Sequence, residues 1–321
     1  MKRSLTGIQP SGVPHVGNWL GAIEPALALQ SSYQSFYFIA SYHALTTSKD
    51  PALLRERIMD VARTWLAMGL DPEKTTLWVQ HDVPEVCELS WILSCVTSKG
   101  MLDKAHAFKD AVAKGRKQIS AGLYTYPILM AADILAFHAN VVPVGKDQKQ
   151  HVEMAKDMAQ SLNHMYGDVL TPPEPMIQDS VATVPGIDGQ KMSKSYDNTI
   201  PLFLKPKKLR KRIMSIKTDS KGLEEPKDPT HCNVFKLYEL FASPAQCDEL
   251  AQRYRKGNFG YGHAKQELFL VMNEKLEEPR ERYEQFVENS SYVSEVLHQG
   301  AKNARTIAKS TLEKVRGAVG L

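Results

Sequence analysis

The sequence predicts an α/β fold, because short strand-like runs alternate with longer helical stretches over about the first two hundred residues. Strands separated by helices form a parallel sheet with helices on both faces. After about residue 200 the strand-like runs stop and only helical stretches follow. We therefore expect a sheet domain at 1–198 and a smaller all-α domain at 199–321.

The predicted strands are short runs rich in branched and aromatic residues: 5–8, 36–40, 76–80, 140–144 and 181–184. The predicted helices carry apolar residues at intervals of three and four positions. In the sheet domain they cover 16–30, 51–68, 85–96, 124–137 and 148–166, and beyond it 209–216, 234–242, 244–254, 264–286 and 292–317. The last helix is a candidate to pack back on the sheet domain.

Composition is that of an ordinary globular protein, since 43% of the 321 residues are hydrophobic and 24% are charged. A net charge of +4 is compatible with a polyanionic partner without identifying one. The four cysteines have no metal-type spacing, and free thiols fit a reducing compartment. With no apolar signal segment and no stretch long enough to span a bilayer, we expect a cytoplasmic protein without a membrane partner.

The most informative segment is the pentapeptide 191–195, which reads Lys-Met-Ser-Lys-Ser and follows Asp188 and Gly189. It places two ammonium groups three positions apart on a serine-bearing loop. Such a loop suits the delivery of positive charge to a polyphosphate. Taken alone, a Lys-Ser tract is usually a solvated linker, so the interpretation needs a second element.

That second element is the segment 7–18, which reads as a strand end, a turn and a helix start. His15 and Asn18 are three apart, so they share one side of the helix start. Free backbone N–H groups at a helix start attract anions, and Gly17 lets a ligand approach closely. Alone, His15 would be a surface histidine in a glycine-rich turn. Joined to 191–195, the segment predicts a nucleotide site.

The two segments resemble the signature motifs of class I aminoacyl-tRNA synthetases. His-Val-Gly-Asn at 15–18 stands where that class carries His-x-Gly-His, with Asn18 in place of the second histidine. The pentapeptide 191–195 matches the second signature letter for letter. Within the class the chain is similar to bacterial tryptophanyl-tRNA synthetases, through further runs at 120–123, 126–127, 130–135 and 142–151. The resemblance implies a Rossmann-like sheet domain.

The resemblance also implies an ATP site. His15, Asn18, Lys191 and Lys194 would hold the phosphates and stabilise the charge that develops on the leaving pyrophosphate. The other residues expected to contact ATP are Gln9, Pro10, Ser11, Gly17, Gly145, Lys146, Asp147, Ala182, Met192, Ser193 and Ser195. Mg²⁺ is expected to arrive with ATP, and the sequence indicates no metal site of the protein's own.

Asp133 lies in the run 130–135, which is otherwise too apolar to face water. A buried carboxylate is costly unless a donor meets it. Without the family context the expected donor is a backbone N–H or a neighbouring arginine. The resemblance instead implies that Asp133 accepts the indole N–H of tryptophan.

The rest of the tryptophan site is implied in the same way. Candidates for the apolar wall, any of which could be ordinary core, are Leu5, Phe38, Met130, Val142 and Val144. Candidates to contact the ammonium or carboxylate of the amino acid are Gln9, Tyr126 and Gln148, with His43 nearby.

The activity implied is that of a tryptophan–tRNA ligase, which activates L-tryptophan with ATP to tryptophanyl-adenylate and pyrophosphate and then transfers tryptophan to tRNA(Trp). The resemblance also implies a homodimer. The basic run 205–212 would contact tRNA phosphates or form a solvated helix face, and the sequence favours neither. Two alternatives stay open: a tyrosyl-tRNA synthetase of the archaeal or eukaryotic type, and a catalytically silent RNA-binding paralogue.

The sequence departs from the family pattern at three places outside the signatures. Ser41 and Tyr42 precede the first His-Ala pair, Lys146 stands where the family has glutamate, and Ala111 stands where it has a second lysine. Lys146 reverses a charge beside the expected nucleotide. These changes leave open whether the chain is a housekeeping enzyme or a divergent second copy.

Overall fold

The computed structural model describes residues 1–105, 108–109, 113, 115, 119–145, 148–177 and 184–321. Within them, five parallel strands form one sheet in the order β3-β2-β1-β4-β5. The strands are β1 Arg3–Ile8, β2 Gln34–Ile39, β3 Thr75–Val79, β4 Val141–Val144 and β5 Glu174–Ile177. The strand order reverses between β1 and β4, and ligands of such sheets bind beside the carboxyl ends of the strands at this point.

The first four predicted strands are confirmed with shifted ends, whereas most of the fifth predicted run, 181–183, lies outside the described residues. The fifth strand is β5, whereas of the predicted run 181–184 only Val184 is described, and it lies outside any strand. Pro175 concealed β5 from the sequence pattern, because proline cannot donate to a sheet ladder. At the edge of the sheet, where β5 pairs with β4 alone, one side of the strand needs no such donor.

The predicted helices are confirmed with shifts of a few residues at their ends, and several short helices join them. In the sheet domain they are α1 Val16–Asn18, α2 Glu24–Leu27, α3 Ser41–Ala44, α4 Pro51–Ala67, α5 Glu85–Val96, α6 Lys99–Asp103, α7 Ala121–Leu135 and α8 Lys149–Tyr166. Beyond it lie α9 Pro206–Met214, α10 Asn233–Tyr238, α11 Pro244–Lys256, α12 Tyr261–Glu288 and α13 Ser290–Val319. Across the described ranges, no helix is long and apolar enough to cross a membrane.

The helix predicted at 16–30 is interrupted by a π turn at Trp19–Ile23, which separates α1 from α2. Pro25 has no N–H to donate to the carbonyl four residues earlier. The wider turn accommodates this loss, and the Glu24 N–H instead bonds to the Trp19 carbonyl. Trp19 is buried and its ring lies 5.9 Å from that of Phe241, so the turn also contacts the helical region.

The two faces of the sheet bury two separate apolar clusters. Alternate residues of β2 point to opposite faces, so Tyr37 and Ile39 join one cluster and Phe36 and Phe38 join the other. The first cluster continues into the helical region through residues such as Leu268. The sheet and the helices after residue 200 therefore share one continuous core on that face.

The C-terminal helix α13 packs along the outer strand β3 and over the second apolar cluster. A Cβ atom at Gly300 would lie 1.8 Å from the Leu77 carbonyl oxygen, so only glycine fits there. The Thr311 hydroxyl donates to the Ala136 carbonyl at 2.8 Å, and Leu312 is only 4% exposed. This helix thus covers one face of the sheet domain with residues from the end of the chain.

Truncating Leu312 to alanine is expected to lower the free energy of unfolding by about 2–5 kcal/mol, because it leaves a cavity beneath α13. Chemical denaturation followed by circular dichroism measures the change. Lys309→Ala on the exposed side of the same helix is the control, with an expected change within about 0.5 kcal/mol. Equal losses in the two variants would contradict the packing described for α13.

Candidate active site

The candidate site lies at the carboxyl ends of β1 and β4, where the strand order reverses. The turn after β1 is tight: the Ser11 N–H bonds to the Gln9 carbonyl at 2.8 Å, and Gly12 adopts a φ of 138° that favours glycine. A Cβ atom at Gly12 would come within 3.2 Å of the Lys194 Cδ atom. The Lys194 side chain therefore lies directly over this turn.

Backbone hydrogen bonds join the first signature segment to the residues that follow the second. The Val16 N–H donates to the Ile200 carbonyl at 3.0 Å, and the Leu202 N–H donates to the Pro14 carbonyl at 3.2 Å. The Gly17 N–H points at the Met192 sulfur at 3.3 Å. Residues about 175 positions apart in the chain thus form one structural unit.

His15 is buried within this unit and its Nδ1 atom has no hydrogen-bond partner among the described residues. Burial, and then the charge of Lys194, lower the pKa of His15 to about 4, so its imidazole is neutral at neutral pH. The His15 backbone N–H donates to the Asn18 Oδ1 atom at 3.1 Å. Asn18 therefore uses its oxygen within the turn and can offer its amide nitrogen to a ligand.

The loop that carries the second signature is organised by Asn198, which is 1% exposed. Its Oδ1 atom accepts the Ser193 N–H at 2.7 Å, and its Nδ2 atom donates to the Lys191 carbonyl at 3.1 Å. The same amide donates to the Asp188 carboxylate at 2.8 Å. Gly186 is required beneath it, because a Cβ atom there would lie 2.3 Å from the Asn198 side chain.

The side chains of the signature loop differ in exposure. Met192 is buried, Lys194 is half-buried, and Lys191 and Ser195 are exposed. Ser193 accepts the Ser195 N–H through its hydroxyl at 3.3 Å. Burial, with a contribution from the positive charge of Arg57, lowers the pKa of Lys194 to about 8. The structure therefore brings His15 and Lys194 together, while Lys191 faces solvent.

Asp133 lies on α7 with 2% exposure and is held by Gln80 and His43. The Gln80 Nε2 atom lies 2.8 Å from each carboxylate oxygen, and the His43 Nε2 atom lies 2.8 Å from Oδ2. The expectation that an arginine or a backbone N–H meets this carboxylate is therefore wrong. Burial raises the pKa of Asp133, and the hydrogen bonds from its two partners oppose that rise.

A second polar chain runs beside the first. The Tyr126 hydroxyl lies 2.5 Å from the His151 Nε2 atom, and the His151 Nδ1 atom lies 3.0 Å from the Gln148 Oε1 atom. Since an amide oxygen only accepts, the neutral His151 tautomer that fits this chain has its proton on Nδ1 and can accept the tyrosine O–H at Nε2. Burial raises the pKa of Tyr126 to about 12. The Tyr126 and His43 rings meet edge to face at 6.0 Å, which links the two chains.

The expected apolar wall divides into core residues and residues that border the site. Leu5, Phe38 and Val142 are buried in the second apolar cluster, whereas Met130 and Val144 pack against it and stay partly exposed. The Phe38 ring covers β1 so closely that a Cβ atom at Gly7 would lie 2.5 Å from its Cζ atom. Gly7 therefore shapes this wall although the sequence did not identify it.

The remaining candidates fall into three groups. Gln9 is half-buried and donates to the His43 carbonyl at 3.1 Å, which fixes it beside the Asp133 group. Pro10 is buried in the turn and Gly145 is exposed after β4. Lys146, Asp147 and Ala182 lie outside the described residues, so their expected ATP contacts stay predictions.

Sequence reasoning did not identify Gln80 or His151 as site residues. Gln80 follows directly after β3, and the rule that ligands bind at the carboxyl ends of strands could have singled it out. His151 lies three residues after Gln148 and shares its side of α8. For both residues the position in the chain is informative, but the sequence does not show which polar side chains point into the site.

The chain matches the family model described as "tRNA synthetases class I (W and Y)" over residues 2–277. It is 50% identical over 322 residues to a tryptophan–tRNA ligase of Fusobacterium nucleatum, covering 100% of this chain and 98% of that relative. A tryptophan–tRNA ligase of Rhodopirellula baltica is 49% identical over 319 residues, which is 99% of each chain.

Among solved structures, the fold is similar to the Campylobacter jejuni tryptophanyl-tRNA synthetase complexed with ADP and tryptophan. The two share 48% identity and a TM-score of 0.93, covering 99% of this chain and 100% of that one. Family model, relatives and fold agree along nearly the whole length. This chain therefore belongs to the class I tRNA synthetases of the tryptophan and tyrosine group.

Proposed function

We infer that this chain is a tryptophan–tRNA ligase, which uses ATP to convert L-tryptophan to tryptophanyl-adenylate and then transfers tryptophan to tRNA(Trp). Full-length similarity to tryptophan–tRNA ligases supports this function. The observation in the site that carries it is the buried Asp133 carboxylate, whose hydrogen-bonding partners among the described residues are an amide and an imidazole. Such a group can accept one further N–H from a substrate.

In the first step, the tryptophan carboxylate attacks the α-phosphorus of ATP and pyrophosphate leaves. Positioning and charge stabilisation account for most of the catalysis in phosphoryl and nucleotidyl chemistry of this kind. His15, Asn18, Lys191 and Lys194 are the groups we assign to the phosphates. The contact between Lys194 and the Gly12 turn supports this assignment, because both signatures then face the same ligand.

The hydrogen bonds already present support the roles that we propose for the groups around the amino acid. The Tyr126 O–H is committed to His151, so its oxygen is available to accept from the substrate ammonium. The Gln148 oxygen accepts from His151, which holds Gln148 near Tyr126, and we assign both residues to the polar end of the substrate amino acid. Met130 and Val144 would border the indole, and Gln9, which donates to the His43 carbonyl, would contact the same substrate.

Around ATP, the turn residues Gln9, Pro10, Ser11 and Gly17 and the loop residues Met192, Ser193 and Ser195 are assigned to adenosine and phosphate contacts. Mg²⁺ is proposed to enter with ATP. Within the described part of the chain, no three His, Cys, Asp or Glu side chains converge as a metal cage. The phosphates and water would therefore supply its ligands, as they do for Mg²⁺ in many nucleotide sites.

The second step, transfer to the tRNA 3′ end, requires an RNA surface, which we place on the helical region at 199–321. Leu209 and Ile213 bury one side of α9, while Arg212 donates to the carbonyls of Asp197 at 2.7 Å and Thr199 at 2.8 Å. Exposed lysines of the run 205–212 are Lys205, Lys207, Lys208 and Lys211. They support phosphate contacts beside the signature loop.

We further propose a homodimer in the cytoplasm, where tRNA is charged.

A tyrosyl-tRNA synthetase is the alternative within the family, because a phenol hydroxyl can also donate to Asp133. The identity of about half with tryptophan–tRNA ligases favours tryptophan. ATP–pyrophosphate exchange with each amino acid separates the two. A silent RNA-binding paralogue would show RNA binding without exchange activity for either amino acid.

Replacing Asp133 with asparagine is expected to raise the KM for tryptophan by about 10- to 100-fold, because a hydrogen bond to a charged group is lost. The KM for ATP should change much less. Both are measured by ATP–pyrophosphate exchange, with the exposed Asp248→Asn as control. Unchanged tryptophan selectivity in the Asp133 variant would overturn the pocket assignment.

The KM for ATP is expected to rise from about pH 7 to about pH 9, because the Lys194 ammonium loses its proton through a pKa of about 8. Lys194→Arg should show a flatter profile over the same range, since arginine stays charged. Exchange kinetics over this pH series test the point. Parallel profiles for the wild type and the variant would exclude Lys194 as the titrating group.

Replacing Asn198 with alanine removes three hydrogen bonds that hold the signature loop. We expect the KM for ATP to rise about tenfold or more while the KM for tryptophan stays close to the wild-type value. Asn289→Ala at the start of α13 is the control for loss of an asparagine remote from the loop. An equal loss for both substrates would point to general unfolding instead.

A further inference from the structure

Gln80 occupies a position from which it controls what Asp133 can recognise. It lies directly after β3, is 1% exposed, and donates through Nε2 to both oxygens of Asp133 at 2.8 Å. Its own oxygen accepts the Tyr42 N–H at 2.9 Å. With Oε1 engaged in this way, the side chain can present only its donor nitrogen to the carboxylate.

The hydrogen-bond inventory of the carboxylate shows what remains for a ligand. An ionised carboxylate offers about four lone-pair sites. On Oδ2 of Asp133, Gln80 and His43 both donate, whereas on Oδ1 only Gln80 donates among the described residues. The acceptor position that remains for a ligand is therefore on Oδ1. The direction in which this lone pair points depends on the position of the Gln80 amide.

The C-terminal helix α13 fixes the chain on both sides of Gln80. Three residues before it, the Leu77 carbonyl lies against Gly300 without room for a side chain. Five residues after it, Glu85 accepts from the Arg305 Nε atom at 2.9 Å. Both contacts come from one helix, so the position of Gln80 depends on how that helix is docked.

We propose that Gln80 is a specificity-determining residue of the tryptophan site, positioned by α13 through Gly300 and Arg305. It keeps Asp133 an acceptor and aims the Oδ1 atom at the indole N–H. The inference rests on the proposed function and deepens it, since it assigns the selection of the substrate to a residue outside the signature motifs and to a helix from the end of the chain.

The proposal also predicts a pH effect that a purely structural role would not produce. Titratable groups that face Asp133 in the described structure are His43 on α3 and Cys87 on α5, with Tyr126 beside His43 on α7. Burial already raises the pKa of Asp133, and the Gln80 amide opposes this rise. Without that amide, protonation extends to higher pH, and a protonated carboxyl becomes a poorer acceptor for an N–H.

The test uses ATP–pyrophosphate exchange on the full chain with Gln80→Met, which keeps the length of the side chain and removes its donor. We expect the KM for tryptophan to rise about 10- to 100-fold while the KM for ATP changes by less than about threefold. The rise should be larger at about pH 6 than at about pH 8.5. The exposed Gln160→Met is the matched control, with wild-type values expected at both pH values.

Gln80→Glu provides a second, nearly isosteric variant in case the methionine variant does not fold. Two carboxylates in contact share a proton, so this variant should lose tryptophan affinity and show an altered pH profile as well. If either folded variant keeps the wild-type KM and pH profile for tryptophan, Gln80 does not determine specificity. Equal increases in KM for ATP and tryptophan would also overturn the proposal.

The contribution of α13 is tested by two pairs of variants. Gly300→Ala should raise the KM for tryptophan more than that for ATP, whereas Gly317→Ala, which meets open space, should change neither. Arg305→Gln should act in the same direction as Gly300→Ala, and Arg316→Gln, which loses an exposed pair with Glu88, should not. Wild-type tryptophan kinetics in both Gly300→Ala and Arg305→Gln would exclude positioning by α13.

These outcomes stay distinct from failure of the proposed function. If the wild-type chain shows no tryptophan-dependent exchange, the function itself is wrong. If the wild type is active and Gln80→Met matches it, only the inference about Gln80 fails.

Discussion

The buried carboxylate of Asp133 is the constraint around which the substrate end of the site is arranged. A charge with 2% exposure is stable only where donors meet it, and here an amide from the end of β3 and an imidazole from α3 do so. Because neither partner is a cation of fixed charge, the carboxylate is held without being neutralised by an ion pair with lysine or arginine. That leaves it able to accept from a ligand, and it ties three separate elements of the sheet domain to one point.

At the nucleotide end of the site, hydrogen bonds hold the backbone in place while charged side chains remain accessible to a ligand. Hydrogen bonds from 14–16 to 200–202 join the first signature segment to the residues that follow the second, and Asn198 closes the signature loop. A residue without a side chain is required within this loop at Gly186, beneath Asn198. The neutral His15 and the half-buried Lys194 follow from the same close packing, since desolvation disfavours both cations.

The helical region takes part in both ends of the site. Its apolar core is continuous with one face of the sheet, and Trp19 beside the first signature packs against Phe241. From the opposite face, α13 contacts β3, the strand that directly precedes Gln80. A change in the docking of the helical region would therefore shift residues at the phosphate site and at the amino-acid site, through separate contacts.

The sequence by itself determined the α/β class, four of the five strands, most helices and both signatures, because periodicity, turn residues and motif spacing are local properties of the chain. It also identified Asp133 as an unusual buried acid with a stated need for donors. It could not identify Gln80 as a donor to that acid or His151 as the partner of Tyr126, nor could it identify β5, whose Pro175 is tolerated because the strand lies at an edge. These features were decided by the tertiary structure, since they depend on which distant segments meet: a hydrogen bond between positions 80 and 133, or a glycine at 300 against a carbonyl at 77, leaves no periodic trace in the sequence.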